Sequence, residues 1–260
     1  MDQSDPSDPS DPSDQTDQTD PRPHRVPHLD LNCDLGEHEA PALTAALCAL
    51  VTRVNVACGG HAGDDDSMRR VIALAKTHGL NLGAHPGQPG NFGRGPVHLS
   101  PVELARLVEA QVTRLGSLAA TPLSHVKLHG SLYHHAEEHP DAAEAFVQLL
   151  ASRFPGVAAV SLPGRAVEAA CRRHGVPFFA EGFLDRAYRD DGSLVPRGTP
   201  GAVLDFPELI AARLQHWRKT GHVLSLTGRP IPLPVQTWCV HADTPNALRL
   251  ITSSTTPLVG

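Results

Sequence analysis

The chain has 260 residues, a formal net charge of −6 and 40% hydrophobic residues, a length that suits one large α/β domain or two small ones with a sizeable core. Seven acidic residues stand at every third position from Asp2 to Asp20 with no base among them, and without those seven 21 acidic residues face 22 basic ones. The remainder is balanced, which excludes a charge-driven role on nucleic acid or a membrane surface.

Residues 1–27 read as an acidic low-complexity tail that cannot bury enough apolar surface to order itself. It has neither the basic start nor the apolar run of a signal peptide, and no stretch of the chain suits a bilayer span. Cys33, Cys48, Cys58, Cys171 and Cys239 are odd in number and form no CxxC pair, which points to a reducing cytoplasm.

Residues 28–260 then alternate short apolar runs with longer helical patterns. "HLDLNC" (28–33) reads as a strand and "PALTAALCALVTR" (41–53) as a helix with proline in its first turn. "VNVAC" (54–58) is a strand, and 66–79 a helix closed by glycine. "LNLGAH" (80–85) is a strand, and 100–119 a helix opened by a Ser100–Glu103 capping box. Strands at 124–129, 157–162 and 176–183 follow, with helices at 140–153 and 164–175 between them. A Gly/Pro/Asp-rich loop leads to a helix from about 205 to 220. "HVLSL" (222–226) and "VQTWCVH" (235–241) are the last strands, and a short helix starts near Thr244. Seven or eight such units fit one closed or slightly irregular (β/α) barrel of mostly parallel strands, a fold that takes about 250 residues. A doubly wound open sheet is the alternative.

In parallel α/β folds ligands bind beyond the carboxyl ends of the strands. Six of the strand ends carry ionisable or amide side chains: Asn32, Asp34 and Glu37; His61, Asp64, Asp65 and Asp66; His85; Lys127 and His129; Glu181, Asp185 and Arg186; His241 and Asp243. The ends at "SLPGR" and "SLTGR" lack histidine and carboxylate. Glu37, Asp65 and Asp66 read individually as solvated loop or helix-start charges. The remaining histidines, His134 among them, read as surface or cap residues. His61, His85, His129 and His241 fall at four separate strand ends, which points to one shared site. Cys33, Cys58 and Cys239 read as small buried residues rather than nucleophiles. No GxxxxGK[ST], HExxH, GxSxG or GxGxxG pattern is present.

The blocks "DLNCDLGE" (30–37), "NVACGGHAGD" (55–64), "GAHP" (83–86) with "NFGR" (91–94), "KLHGSLYH" (127–134), "EGFLDRAYRDDGSLVPR" (181–197) and "QTWCVHAD" (236–243) resemble, in order, the signature blocks of the LamB/YcsF family, which forms the A subunit of the prokaryotic ATP-dependent 5-oxoprolinase. Departures stand at Gly60, Leu128, His134 and Ala242, where members often carry an aromatic, a proline, an asparagine and a glycine. The resemblance implies hydrolytic opening of 5-oxo-L-proline to L-glutamate, with ATP and magnesium, in a complex with two other subunits, B and C. It implies a catalytic set of Asp34, His61, Asp64, His129 and Glu181. It also implies a substrate and ATP set of Asn32, Asn55, His85, Lys127, Asp185, Arg186, Arg197, His241 and Asp243. Two other readings fit the same residues. One is a metal-dependent amidohydrolase, similar to polysaccharide deacetylases, with Asp34, His61 and Asp64 as ligands. The other is a non-catalytic subunit that captures a small acid.

Overall fold

Short strands with no exposed face alternate with helices that each bury one apolar stripe, which a parallel sheet covered on both faces satisfies, whether closed or open. The computed structural model describes residues 29–255; the tail expected to be disordered lies outside the described residues. The elements run β1 (Leu31–Leu35), α1 (Pro41–Cys48), β2 (Arg53–Ala57), α2 (Asp65–His78), β3 (Asn81–His85), α3 (Pro101–Ala119) and β4 (His125–Val126). Then come α4 (Gly130–Glu138), α5 (Pro140–Arg153), β5 (Ala158–Ser161), α6 (Ala166–His174) and β6 (Phe178–Phe183). The last are α7 (Pro207–Thr220), β7 (His222–Leu224), β8 (Pro230–Pro232), β9 (Thr237–Cys239) and α8 (Ala247–Thr255). Strands β1 to β6 and then β9 pair in sequence, all parallel, and β9 pairs with β1, so the barrel closes with seven strands and the open-sheet alternative falls.

The local signals act as their chemistry requires. Pro41 opens α1, and Ser100 and Glu103 exchange both capping-box bonds at the start of α3. Gly79 ends α2 in the left-handed conformation, with φ 65°.

Two expectations are corrected. "HVLSL" is not a barrel strand: β7 pairs antiparallel with β8 in a separate two-stranded sheet. Leu224 and Leu226 are half exposed, so this run lacks the two-sided burial of a barrel strand, and Glu181 pairs directly with Thr237 across the place where it would have gone. Helix α4 has no counterpart among the expected elements. Its polar, histidine-rich sequence buries only a narrow stripe, with Leu132, Tyr133 and Ala136 at its centre, and Pro140 starts α5 at once.

Outward-facing side chains such as Cys33, Leu35, Val54, Val56, Leu82 and Val126 are buried in the core. The barrel interior, usually filled by branched apolar residues, is polar here. Asn55 Nδ2 donates to Asn32 Oδ1 and to Asp34 Oδ1, each at 2.8 Å, and Asn32 Nδ2 donates to Thr237 Oγ1 at 3.0 Å. His125 Nε2 donates to Asn55 Oδ1 at 2.7 Å, which takes the ring from β4 across β3 to β2. That crossing needs a residue without a side chain at 83. A Cβ on Gly83 would lie 2.2 Å from His125 Nε2.

His125 is neutral in the fold, its pKa pushed down to about 3 by burial and then by the charges of Arg53 and Lys127. Unfolded, it titrates near 6.5. Between these values the unfolded chain binds the extra proton, so this contribution is fully present above about pH 6.5 and is lost as pH falls toward 3. We expect His125→Gln to flatten that decline by a few kcal/mol, read as the difference between variant and wild-type urea stabilities at pH 7 and pH 4. Equal slopes for the two proteins would show that His125 does not titrate differently on folding.

Candidate active site

The carboxyl ends of the seven strands place most of the expected residues in one mouth. At its floor the ammonium of Lys127, just beyond β4, lies 3.0 Å from Asp34 Oδ1 on β1 and 2.8 Å from Glu181 Oε1 on β6. All three residues are buried. Burial alone would strip the lysine of its charge, but Asp34 and Glu181 outweigh it and raise its pKa well above the ordinary value. Burial likewise opposes ionisation of Asp34, and His85 and Lys127 overcome it, holding the carboxyl well below the usual range.

Above this floor stands a cluster of imidazoles. Glu37 Oε1 lies 2.9 Å from His61 Nε2, 3.2 Å from His129 Nδ1 and 3.8 Å from His85 Nε2. His85 Nε2 and His129 Nδ1 are 3.0 Å apart. The rings of His61 and His129 stack at 3.5 Å. Close glycine contacts enclose them: a Cβ on Gly93 would meet His129 Cδ2 at 2.7 Å and His61 Cβ at 2.8 Å. Burial pushes the His61 pKa down to about 4 and lowers that of His129. For Glu37, burial is outweighed by the bonds from His129 and His61, and its carboxyl stays far below the usual range.

Opposite the cluster, Asp185 is fully buried and receives the backbone N–H of His241 at 3.0 Å and the Thr244 hydroxyl at 2.5 Å. His241 Nδ1 lies 2.9 Å from the same carboxylate and donates to it. That fixes the tautomer, so Nε2 carries the free lone pair and sits 3.9 Å from Asp34 Oδ2.

Two cavities open here. One of about 370 Å³ reaches Asp34, Lys127 and His241 and is walled by Arg94, Arg186, Arg189 and Arg197. The other, of about 350 Å³, reaches Glu37, His61 and Phe92. Arg94 and His129 line both. Burial and then the neighbouring Arg197 push Arg186 down to about 10, and its Nε is buried without a partner. A cavity with clustered guanidinium groups and a buried lysine suits a multiply charged anion.

Of the expected residues, Asp34, His61, His85, Lys127, His129, Glu181, Asp185, Arg186, Arg197 and His241 converge on the mouth, while Asn32 and Asn55 lie in the interior network and line neither cavity. Asp243 stands at its rim, pairing with Arg94 at 2.8 Å and Arg197 at 3.4 Å. Asp64 does not join them. It is exposed and is the N-cap of α2, accepting the Ser67 N–H at 2.7 Å. The expected ligand trio of Asp34, His61 and Asp64 is therefore not assembled. Glu37, which reads in the sequence as a solvated charge, is the centre of the histidine cluster instead: Gly36, at φ 77°, turns the chain back over the mouth. His134, which reads as a surface histidine, lines the larger cavity. His125, Thr237 and Arg94 join the interior or the mouth without having been expected there, although period-two alternation along "HVKLH" and "TWCVH" marks the interior-facing positions.

Lys127→Met removes the only ammonium between Asp34 and Glu181, and is expected to cost about 3 kcal/mol or more in denaturant unfolding at pH 7. Asp64→Ala should cost about 1 kcal/mol, the value of a helix cap. A Lys127→Met protein as stable as wild type would show that the buried charge pair is not needed to hold the interior.

Residues 29–258 match the model of the LamB/YcsF family. The chain is 43% identical over 231 residues to a protein of Nitrobacter winogradskyi whose name is that of the A subunit of 5-oxoprolinase, covering 85% of this chain and 91% of the other. A protein of the same name from Limosilactobacillus fermentum is 41% identical over 229 residues, covering 86% and 92%. Among solved structures, the crystal structure of a lactam utilization protein from Thermus thermophilus superposes with a TM-score of 0.79 at 34% identity, over 87% of this chain and 94% of the other.

Proposed function

Since the chain belongs to the LamB/YcsF family, we propose that it is the A subunit of an ATP-dependent 5-oxoprolinase, opening the lactam of 5-oxo-L-proline to L-glutamate together with two partner subunits, B and C. The observation that carries this reading is the larger cavity, where a carboxylate and a buried ammonium lie at the floor of an arginine-walled chamber of about 370 Å³. That is room for a small cyclic amide beside a phosphoryl group, with cations placed for the charge of both.

A five-membered lactam re-forms readily, because its amine and carboxylate are held at high effective concentration, so simple hydrolysis is poorly driven. ATP changes that. The amide oxygen displaces ADP from the γ-phosphorus and becomes a phosphate ester, which leaves the ring carbon electrophilic. Water, oriented by Asp34, adds to that carbon and gives its proton to His241 Nε2. The C–N bond breaks as His241 Nε2 passes that proton to the ring nitrogen, while its Nδ1–H stays on Asp185. The acyl phosphate that remains loses phosphate to a second water. Lys127, Arg186 and Arg197 carry the negative charge that develops on the transferred group. Magnesium accompanies the nucleotide. Glu181 is fully buried against Lys127, which fits it better as the lysine's counter-ion than as an acid that meets the ring nitrogen.

The chain offers no phosphate-cradling loop, which supports dependence on the partners for the nucleotide. Among the described residues no helix is long and apolar enough to cross a membrane. All five cysteines are free and buried, in keeping with a cytoplasmic setting.

The test is glutamate release from 5-oxoproline with ATP, for this chain alone and mixed with its two partner subunits. We expect little or no turnover alone and ATP-coupled turnover in the mixture. Asp34→Asn should lower kcat there by about 100-fold or more, with circular dichroism showing that the variant is still folded at the assay temperature. Full activity of the single chain, or ATP loss with no glutamate gain in the mixture, would sink the proposal. ATP-independent opening of the lactam would favour an amidohydrolase instead.

A further inference from the structure

Three of the arginines that wall the larger cavity, Arg186, Arg189 and Arg197, come from the single long loop between β6 and α7. Two antiparallel bridges, Arg186 with Val203 and Tyr188 with Leu194, fold that loop back on itself. Its base is held from α7 and from within. Arg213 Nη1 donates to the carbonyl oxygens of Phe183 at 2.9 Å and Leu184 at 3.2 Å, and the Tyr188 hydroxyl accepts the Phe183 N–H at 2.6 Å. The wall is therefore built by the fold of this chain alone.

Its charges do not cancel. At the floor Lys127 is already matched by Asp34 and Glu181. Around the wall Arg94, Arg186, Arg189 and Arg197 face two carboxylates. One is Glu138, which lines the same cavity; the other is Asp243, which pairs with Arg94 and Arg197 at once. Four guanidinium groups against two carboxylates leave two positive charges unmatched. Arg189 forms no salt bridge among the described residues. Arg186 donates to the Val195 carbonyl at 2.6 Å, but its Nε is buried without an acceptor, which costs about 1–3 kcal/mol until a ligand supplies one.

We propose that Arg94, Arg186, Arg189 and Arg197 form a receptor for one dianionic phosphoryl group, complete in this chain without nucleotide or partner subunit. Two unmatched charges select a dianion over a monoanion, and planar guanidinium forks suit the several oxygens of a phosphoryl group. The space toward Asp34 and His241 is left for whatever carries that group, so the fitting ligand class is a small phosphate ester or acyl phosphate. The proposal rests on the reading of the chamber as the phosphoryl side of the reaction, and it adds Arg94 and Arg189 to the groups that hold the phosphoryl oxygens. Its test uses neither lactam nor ATP, so its failure is distinguishable from failure of that reaction.

The full-length chain alone is titrated with methyl phosphate by calorimetry at neutral pH, in about 150 mM sodium chloride to screen loose surface attraction. One site per chain is expected, with sulfate binding comparably and formate, a monoanion, at least ~10-fold more weakly. Arg189→Gln and Arg186→Gln should each weaken methyl phosphate at least ~10-fold, the effect of losing one charged hydrogen bond. Arg172→Gln, exposed on α6 away from the mouth, should change nothing. The second proton of a phosphate monoester leaves near pH 6, so the ratio of methyl phosphate to sulfate affinity should fall about tenfold from about pH 7.5 to about pH 5. Sulfate stays a dianion throughout and corrects for any chamber histidine that titrates in that range. Circular dichroism checks the fold of each variant and at each pH. Should the Arg186 variant unfold, Arg189→Gln decides, because that side chain is exposed. No binding of methyl phosphate above the chloride background would overturn the proposal. So would formate binding as tightly as methyl phosphate, full affinity in Arg189→Gln, or an affinity ratio that stays constant with pH.

Discussion

The structure depends on one buried positive charge. Taking the ammonium of Lys127 out of water costs several kcal/mol unless it is paired at close range, and Lys127 is almost wholly buried. Asp34 and Glu181 meet that need from two other strands. Asp34 must then be held in place, and Asn55 holds it. Asn55 is oriented by Asn32 and by His125. The constraint also runs upward: the backbone carbonyl of Lys127 fixes His85 Nδ1, and so directs His85 Nε2 toward Glu37 and His129. One lysine thus ties the polar interior to the histidine cluster through its two ends.

Above that interior the mouth divides into two environments that share a wall. Arginines line one, and Glu37 with the imidazoles faces the other, with His129 and Arg94 exposed to both. Asp243 pairs with both Arg94 and Arg197 at the rim, so the polar loop after β9 ties together two of the arginines that line the chamber. Whatever enters the chamber meets positive charge before it meets Asp34. Such a gradient favours small anions and positions them before any bond is changed.

Much of this was legible in the sequence, for physical reasons that particular residues make plain. Short apolar runs alternating with helical periods force parallel pairing, and parallel pairing carries each strand end to one face; that is why His61, His85, His129 and His241 group together before any coordinates. Asp64 reads as a site residue because three aspartates after a strand look alike in one dimension. Ser67 is the available signal against it, a residue three positions on that can share a capping box with Asp64 but not with Asp65. Glu37 reads as solvated because its burial depends on the reversal at Gly36, a tertiary effect. "HVLSL" has a strand's composition, yet whether a strand joins the barrel depends on what covers its two faces, and Leu224 and Leu226 have little cover. The acidic and basic groups of the interior are half visible. Every second residue of "HVKLH" is polar, and Thr237 and His241 stand at alternate positions on either side of Cys239, a pattern that a search limited to strand ends passes over.

The crossing of His125 over Gly83 also shapes how this sequence can drift. A side chain at 83 has no room while the imidazole is in place. Removing the imidazole first leaves the amide oxygen of Asn55 without its buried donor. Neither single change is neutral, so the two positions are locked to each other, and substitution at both must pass through a weakened intermediate. In a lineage descended from this chain, residues 83 and 125 should change as a pair or not at all, even though they are 42 positions apart.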